Sequence, residues 1–148
     1  MELAQIIDTR RSIRKFQNKP VEREKINHCL EAARMAPSAC NAQPWHFIVI
    51  DDPERKERFC KEVFGGVYAM SQWASQAPVL IAAVSDKGNF ISRLGGFVRR
   101  TEFYLVDHGI ACEHIVLRAW DQGLGSCWVG WFNSEKAAQF LTFYPIPK

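Results

Sequence analysis

A proline-free segment over residues 101–122 carries apolar side chains around most of its circumference when it is drawn as a helix. At 1.5 Å per residue this helix would be about 33 Å long. A helix that is apolar nearly all round is buried on nearly all sides. A chain of 148 residues has few places that enclose a helix so fully, and we therefore expect a second copy of the chain to cover part of it. The candidates for the apolar seam of this homodimer are Val106, Ile110 and Leu117.

The composition is that of a folded globular protein and excludes several other classes. Apolar residues make up 47% and charged residues 24%, which argues against intrinsic disorder. The formal net charge of +3 is too small to indicate a nucleic-acid-binding surface. No apolar stretch approaches the ~18 residues of a membrane helix, and Glu2 stands where a secretory signal would be basic. We therefore expect one cytoplasmic domain with neither nucleic acid nor membrane as a partner.

Hydrophobic spacing predicts helices separated by single strands, which is typical of a layered α/β arrangement. Proline, glycine and polar clusters set the ends of most elements. The predicted helices cover 2–9, 21–35, 54–63, 101–122 and 134–143, with a short one near 68–74, and Asn133 or Ser134 is expected to cap the last. The predicted strands cover 45–50, 78–84 and 124–131, and residues 85–96 are expected to form a loop or lid.

Three segments could carry chemistry, and the first contains Arg10, Arg11, Ser12 and Arg14. Guanidinium groups match phosphate oxygens through paired, charge-assisted hydrogen bonds, and a serine hydroxyl adds a neutral donor. The alternative is a basic helix C-terminus that interacts with its own dipole. The segment by itself favours that alternative.

The second segment runs from Pro37 to Trp45 and contains Ser38, Asn41 and Gln43. These neutral donors and acceptors suit an uncharged heterocycle, and Trp45 could offer it a flat apolar surface. A proline-bounded turn whose polar side chains bond their own backbone explains the same residues equally well.

The third segment, residues 123–131, has glycines at both ends and two tryptophans. Glycine lets a ligand approach the backbone closely, although a core strand with tight ends is the alternative. The segment is not a G-x-G-x-x-G motif that opens a helix, so it does not indicate a Rossmann fold.

The sequence contains no recognisable nucleophile or metal-ligand set. Its five cysteines are odd in number and include no C-x-x-C pair, which argues against a disulfide framework and a structural zinc site. His108 and Cys112 stand four residues apart, but two ligands make a buried, satisfied histidine the better interpretation. Cys40 is interpreted as an inert thiol because no histidine stands at a suggestive spacing. We predict no catalytic side chain.

Taken together and in this order, the three segments resemble the FMN-dependent nitroreductases. The matching runs are R-R-S-I-R at 10–14, A-P-S-A-C-N-A-Q-P-W at 36–45 and G-L-G-S-C-W-V-G at 123–130. The run D-H-G-I-A at 107–111, followed by L-R-A at 117–119, resembles the central dimer helix of that family. The resemblance extends from about Ile6 to Leu141.

The resemblance implies an α+β sandwich with a central mixed sheet, a long central dimer helix and two FMN molecules in the subunit interface. Arg10, Arg11, Ser12 and Arg14 would hold the phosphate and ribityl end. Pro37, Ser38 and Asn41 would come from the other subunit, with Gln43 near the ring, and Trp128, Val129 and Gly130 would lie along the isoalloxazine. Residues 1–148 would form one FMN-binding domain, without the final strand and C-terminal arm of the family.

The implied activity is an NAD(P)H oxidoreductase that delivers hydride to flavin N5. A nitroaromatic, a quinone or a related small-molecule acceptor would then replace the nicotinamide in a ping-pong mechanism. Because the cofactor carries this chemistry, the activity needs no catalytic triad. The alternative is a flavin-binding or flavin-carrier protein of the same fold that does not turn over. An enzyme acting on the flavin itself or on a halogenated ring is a third interpretation.

Overall fold

The structure, a computed structural model, describes residues 1–85 and 102–143. In chain order its elements are α1 (Leu3–Thr9), α2 (Arg23–Arg34), a 3-10 turn (Ala39–Asn41), β1 (Trp45–Ile50), α3 (Pro53–Val63), a 3-10 helix (Gly66–Gln76), β2 (Leu80–Ser85), α4 (Phe103–Asp121) and α5 (Ser134–Phe143). The predicted helices and the first two predicted strands are confirmed to within about two residues at most ends. The predicted loop over 85–96 lies outside the described residues, apart from Ser85.

The third predicted strand, over residues 124–131, is wrong. In the described part of the chain, β1 and β2 pair with each other in a two-stranded sheet. Residues 124–131 include a single β-bridge residue, Ser126, and otherwise have no regular secondary structure. A strand needs a neighbour along its length, and an apolar run bounded by glycines does not itself supply one.

Two compact units make up the fold, and each has its own core. The first consists of Met1–Arg11, Glu22–Phe47 and the described residues of Ala83–Ser126. The second consists of Ser12–Val21, Ile48–Ala82 and the described residues of Cys127–Lys148.

The core of the first unit lies where α2 packs against the long helix α4. Ala33 of α2 and Ala111 of α4 are both fully buried, and small residues at such a crossing let two helices approach closely. Trp45, at the start of β1, is 8% exposed and completes the same cluster. Burying this indole removes it from solvent, so the prediction that Trp45 offers a flat surface to a ligand is wrong.

The core of the second unit joins α3 and α5. The rings of Phe59 and Phe140 meet edge to face with centroids 5.4 Å apart, and Ile50 and Val63 are fully buried beside them. Both helices begin at side-chain caps that the local sequence supplies. Asp52 Oδ1 accepts a hydrogen bond from Arg55 N at 2.8 Å before α3, and Asn133 Oδ1 accepts one from Lys136 N at 3.0 Å before α5. Of the two predicted caps for α5, the structure therefore selects Asn133.

The long helix is not enclosed by its own chain. Its buried residues are Asp107, Ala111, Val116 and Ala119, which leave other apolar side chains on the surface. Leu105 and Val106 are 53% and 54% exposed. A single copy therefore leaves part of this apolar helix in contact with water. Among the described helices, none is both long enough and apolar enough to cross a membrane.

Candidate functional site

The predicted site residues are divided between the two units. The first unit contains Arg10, Arg11, Pro37, Ser38, Asn41 and Gln43, and the second contains Ser12, Arg14, Trp128, Val129 and Gly130. Each group is therefore described within its own unit.

Residues 38–43 form a tight loop that is cross-linked by its own hydrogen bonds. Asn41 N donates to Ser38 O at 3.0 Å, Ala42 N donates to Ala39 O at 3.0 Å, and Gln43 N donates to Ser38 Oγ at 2.9 Å. Pro37 precedes the loop and Pro44, which is fully buried, follows it. The structure thus brings Ser38, Asn41 and Gln43 together, as both interpretations of this segment required.

Three residues of this loop adopt the left-handed backbone conformation that L-amino acids disfavour. The φ angles are +53° at Cys40, +50° at Asn41 and +46° at Gln43. Such conformations persist only where the surrounding structure imposes them, and they cluster at ligand clamps and active sites. An ordinary surface turn does not need three of them within four residues, so the backbone favours the ligand-binding interpretation of this loop.

The loop is also tied to the long helix by Asp107. Ala39 N donates to Asp107 Oδ1 at 3.0 Å, and Asp107 is only 3% exposed. This side chain was missed as a site residue when the sequence was considered alone. The sequence feature that could have indicated Asp107 is an acidic residue within the mostly apolar run over residues 103–112, because a buried ionisable group needs a specific partner.

Arg10 and Arg11 follow the last residue of α1. Arg10 Nε lies 3.7 Å from Glu113 Oε1 in a partly exposed ion pair. Arg11 Nη1 donates to Asp8 O at 2.9 Å and to Arg10 O at 2.8 Å. Arg11 thus contacts carbonyl groups at the end of α1, as expected if the basic segment interacts with the dipole of its own helix. Its described bonds use one terminal nitrogen, which leaves Nε and Nη2 as donors for an anion.

Arg14 lies against an aromatic ring in the second unit. Its guanidinium carbon is 5.6 Å from the centre of the Trp73 ring, and Phe16 stacks on Trp73 with centroids 6.4 Å apart at 19°. A guanidinium over an indole face is held by the ring quadrupole while its edges remain open to hydrogen bonds. Trp73 was also missed, and the local sequence around it contains no signal for this contact.

The segment after the long helix presents aromatic surface and an open backbone. Trp128 is 53% exposed, whereas Val129 packs against the same hydrophobic cluster as Trp73. At Gly130 an added Cβ would meet nothing within 4 Å, so a ligand can reach the main chain there. Trp131 is held by a hydrogen bond from its Nε1 to Val67 O at 2.9 Å.

The His108 and Cys112 pair does not resemble a metal site in the described residues. His108 stacks on Phe47 with centroids 6.3 Å apart, and burial lowers its pKa below the ordinary value. Its Nδ1 is buried and has no hydrogen-bond partner among the described residues, so the prediction of a satisfied histidine is wrong. Burial, with a smaller contribution from the negative charge of Glu113, raises the pKa of Cys112 to about 11. No three His, Cys, Asp or Glu side chains within the described ranges come together to hold an ion.

Each unit by itself offers groups of the kinds that FMN needs. In the first unit, Arg11 is an exposed cation with donors to spare, which suits a phosphate, and the neutral loop with Asn41 and Gln43 suits an uncharged ring. In the second unit, Ser12 and Arg14 are exposed donors, and Trp128 and the backbone at Gly130 offer open surface.

Comparison with known proteins agrees with this fold. Residues 7–148 match the sequence model described as "Nitroreductase family". A protein of Methanothermobacter thermautotrophicus named "Putative NADH dehydrogenase/NAD(P)H nitroreductase" is 35% identical over 100% of this chain and 71% of its own length.

Two solved structures show the same fold. A nitroreductase family protein from Clostridium novyi NT superposes with a TM-score of 0.81 and 34% identity, over 98% of this chain and 78% of that one. A protein titled "FMN-dependent Nitroreductase" from Clostridium difficile R20291 gives a TM-score of 0.72 and 28% identity, over 95% of this chain and 78% of that one. The predicted nitroreductase-like α+β fold is thereby confirmed.

Proposed function

The chain belongs to the nitroreductase family, and on that basis we propose that it is an FMN-dependent oxidoreductase that uses NAD(P)H to reduce small-molecule acceptors. The family assignment rests on a match over residues 7–148 and on a relative that aligns with the whole chain. Nitroaromatics, quinones and related compounds are the proposed acceptors. The roles of the site residues and the homodimer belong to the same proposal.

The observation that carries the proposal is the conformation of the loop over 38–43. Three non-glycine residues in left-handed conformations are held there by hydrogen bonds to Ser38 and Asp107. Strain maintained in this way indicates a preorganised binding surface, and its neutral polar side chains match the edge of a flavin ring.

Each part of the chain has a separate task in binding. Arg10, Arg11 and Arg14 pair with the phosphate, and Ser12 supports the ribityl end. Pro37, Ser38 and Asn41 serve the flavin of the partner subunit, with Gln43 near the ring edge. Trp128, Val129 and Gly130 lie along the isoalloxazine. Residues 1–148 act as one FMN-binding domain.

The redox chemistry would be supplied by bound FMN, as hydride transfer from the nicotinamide and reduction of the acceptor. The residues of this chain bind the cofactor and orient it. No side chain is required as a nucleophile or a general base.

The proposed assembly is a cytoplasmic homodimer. The exposure of Leu105 and Val106 on the long helix supports a partner at that surface, because large apolar side chains at neighbouring positions indicate an interaction site. Five cysteines without a C-x-x-C pair suit a reducing compartment.

Reconstitution with FMN tests the function. We expect a yellow protein whose visible flavin absorbance bleaches under NADH or NADPH without oxygen and returns when a quinone or nitroaromatic is added. A protein that never binds added FMN would contradict the proposal. Bound FMN that neither nicotinamide reduces would favour the flavin-carrier alternative instead.

A further inference from the structure

We infer that Asp107 is a positioning residue that holds the loop over 38–43 in its FMN-binding conformation. The inference rests on the proposed function, because it assigns to the long helix a role in the site that this loop forms. It concerns one contact within the first unit, the hydrogen bond from Ala39 N to Asp107 Oδ1.

The bond joins two parts of the chain that are far apart in sequence. Ala39 and Asp107 are separated by 68 residues, and the donor–acceptor distance is 3.0 Å. Asp107 lies on the buried face of the long helix, one turn before the fully buried Ala111. The carboxylate therefore reaches the loop from a rigid element of the core.

The loop needs such an attachment because its backbone is unfavourable by itself. A left-handed conformation is unfavourable for most L-residues, and Cys40 and Gln43 adopt it as well as the more tolerant Asn41. Ser38 Oγ restrains the end of the loop by accepting from Gln43 N. Asp107 restrains its beginning by accepting from Ala39 N, immediately before the first left-handed residue.

The burial of the Asp107 carboxyl group is the second observation. Oδ2 of Asp107 is buried and has no hydrogen-bond partner among the described residues. Burying a carboxyl group with only one of its oxygens hydrogen-bonded is unfavourable. An asparagine side chain could accept the bond from Ala39 N equally well, so packing alone does not explain an aspartate at this position.

A role in general packing is the competing explanation, and it makes a different prediction. If Asp107 only stabilises the core, replacing it should lower the melting temperature without a specific effect on FMN. If Asp107 positions the loop, its loss should expose the Ala39 amide and weaken FMN binding beyond the effect of an equally destabilising core substitution.

The experiment compares Asp107→Leu, Asp107→Asn and the control Val116→Ala in the full-length chain. Val116 is buried in the same helix and cannot accept a hydrogen bond, so its truncation weakens packing without touching the loop contact. Two quantities are measured for each protein. They are the hydrogen exchange rate of the Ala39 amide without flavin, and the dissociation constant for FMN from flavin fluorescence.

We expect Asp107→Leu to speed exchange at Ala39 and to raise the FMN dissociation constant about tenfold or more. Asp107→Asn, which keeps an acceptor oxygen, should fall between Asp107→Leu and the wild type in both measurements. Val116→Ala should lower the melting temperature while the Ala39 exchange rate and the FMN dissociation constant stay at wild-type values.

The outcomes separate this inference from the proposed function. Wild-type protein that binds no FMN refutes the function, and the exchange rate of Ala39 still reports on the contact. FMN binding that is equally tight in the wild type and Asp107→Leu refutes the positioning role and leaves the function intact. If Asp107→Leu does not fold, the wild type decides, because an unprotected Ala39 amide there overturns the inference.

Discussion

The guanidinium carbon of Arg14 lies 5.6 Å from the centre of the Trp73 ring, so the indole face fixes one side of a side chain proposed to bind phosphate. An arginine in such a contact has lost part of its rotational freedom before any ligand arrives. The side chain therefore loses less conformational entropy when it binds an anion. We therefore expect Arg14 to make a measurable contribution to FMN affinity.

Replacing Arg14 by alanine should weaken FMN binding about tenfold or more, because a hydrogen bond to a charged group contributes roughly 1.5–3 kcal/mol. Arg14→Lys should recover only part of the affinity, since lysine keeps the charge but not the planar fork. Fluorescence titration with FMN measures both variants. Riboflavin, which has no phosphate, should bind weakly and be indifferent to either change.

Lys19→Ala is the matched control for Arg14→Ala, because it removes one exposed positive charge from the same segment of the second unit. Its FMN affinity should equal that of the wild type. An equal loss of affinity in both variants would mean that net charge, rather than a contact at Arg14, explains the result.

Val106→Glu should disrupt the proposed dimer. Val106 is 54% exposed in the single chain, so a carboxylate there is harmless to the monomer but unpaired and buried in a subunit interface. We expect a soluble monomer without flavin, detected by light scattering and flavin absorbance on one sample. The control is Val67→Glu, which introduces the same charge at a position that is 74% exposed on the 3-10 helix.

Ile110 is a poorer site for this test than the apolar pattern of the helix predicts. It packs against the cluster of Ala33, Ala36, Trp45 and Ala111 in its own chain, so Ile110→Glu should destabilise the first unit directly. A Val106→Glu protein that remains a dimer and keeps stoichiometric FMN would show that the interface lies elsewhere.

His108 should make the free energy of unfolding depend on pH near neutrality. Burial lowers its pKa in the folded state, so the unfolded state binds the proton more readily. Stability should therefore be complete above the ordinary pKa of about 6.5 and should decrease as the pH falls below that value. Urea unfolding at about pH 7.5 and pH 5.5 measures the difference.

The variant His108→Phe should remove most of this pH dependence, because phenylalanine can retain the stacking on Phe47 but cannot titrate. Three carboxylates also have lowered pKa values, but they change the free energy of unfolding only below about pH 5. They are Glu31, Glu57 and Asp121. An equal loss of stability in the wild type and the variant between about pH 7.5 and 5.5 would contradict the prediction.

Cys40 should be the first cysteine that iodoacetamide modifies. It is exposed, whereas burial raises the pKa of Cys29, Cys60 and Cys112 and lowers their thiolate fraction. FMN should slow the modification, since Cys40 lies between Ala39 and Asn41 in the proposed flavin loop. Peptide mass spectrometry with and without FMN measures both effects. Cys40→Ser should retain NAD(P)H oxidation, and a loss of turnover at full FMN occupancy would instead indicate a catalytic thiol.

Most helices and two strands could be predicted from the sequence because their determinants lie within a few residues. Asp52 and Pro53 supply a cap and a first helical residue for α3, and Pro37 prevents the continuation of α2. The family could be predicted for a similar reason, since three short motifs retain their order along the chain. The loop over 38–43 was identified as a candidate from its polar residues, although two interpretations of it remained equal.

Tertiary structure decided the features that depend on residues distant in the chain. Residues 124–131 have the composition of a strand, but of these eight residues Ser126 alone forms a β-bridge, because strand pairing requires a neighbour that local sequence does not specify. The core of the first unit buries Trp45, and Trp73 reaches Arg14 from a distant part of the second unit's sequence. The same holds for Asp107 and Ala39, 68 residues apart. Local hydrogen bonding and hydrophobic periodicity determine where helices and strands form, whereas only the tertiary fold determines which distant side chains come into contact.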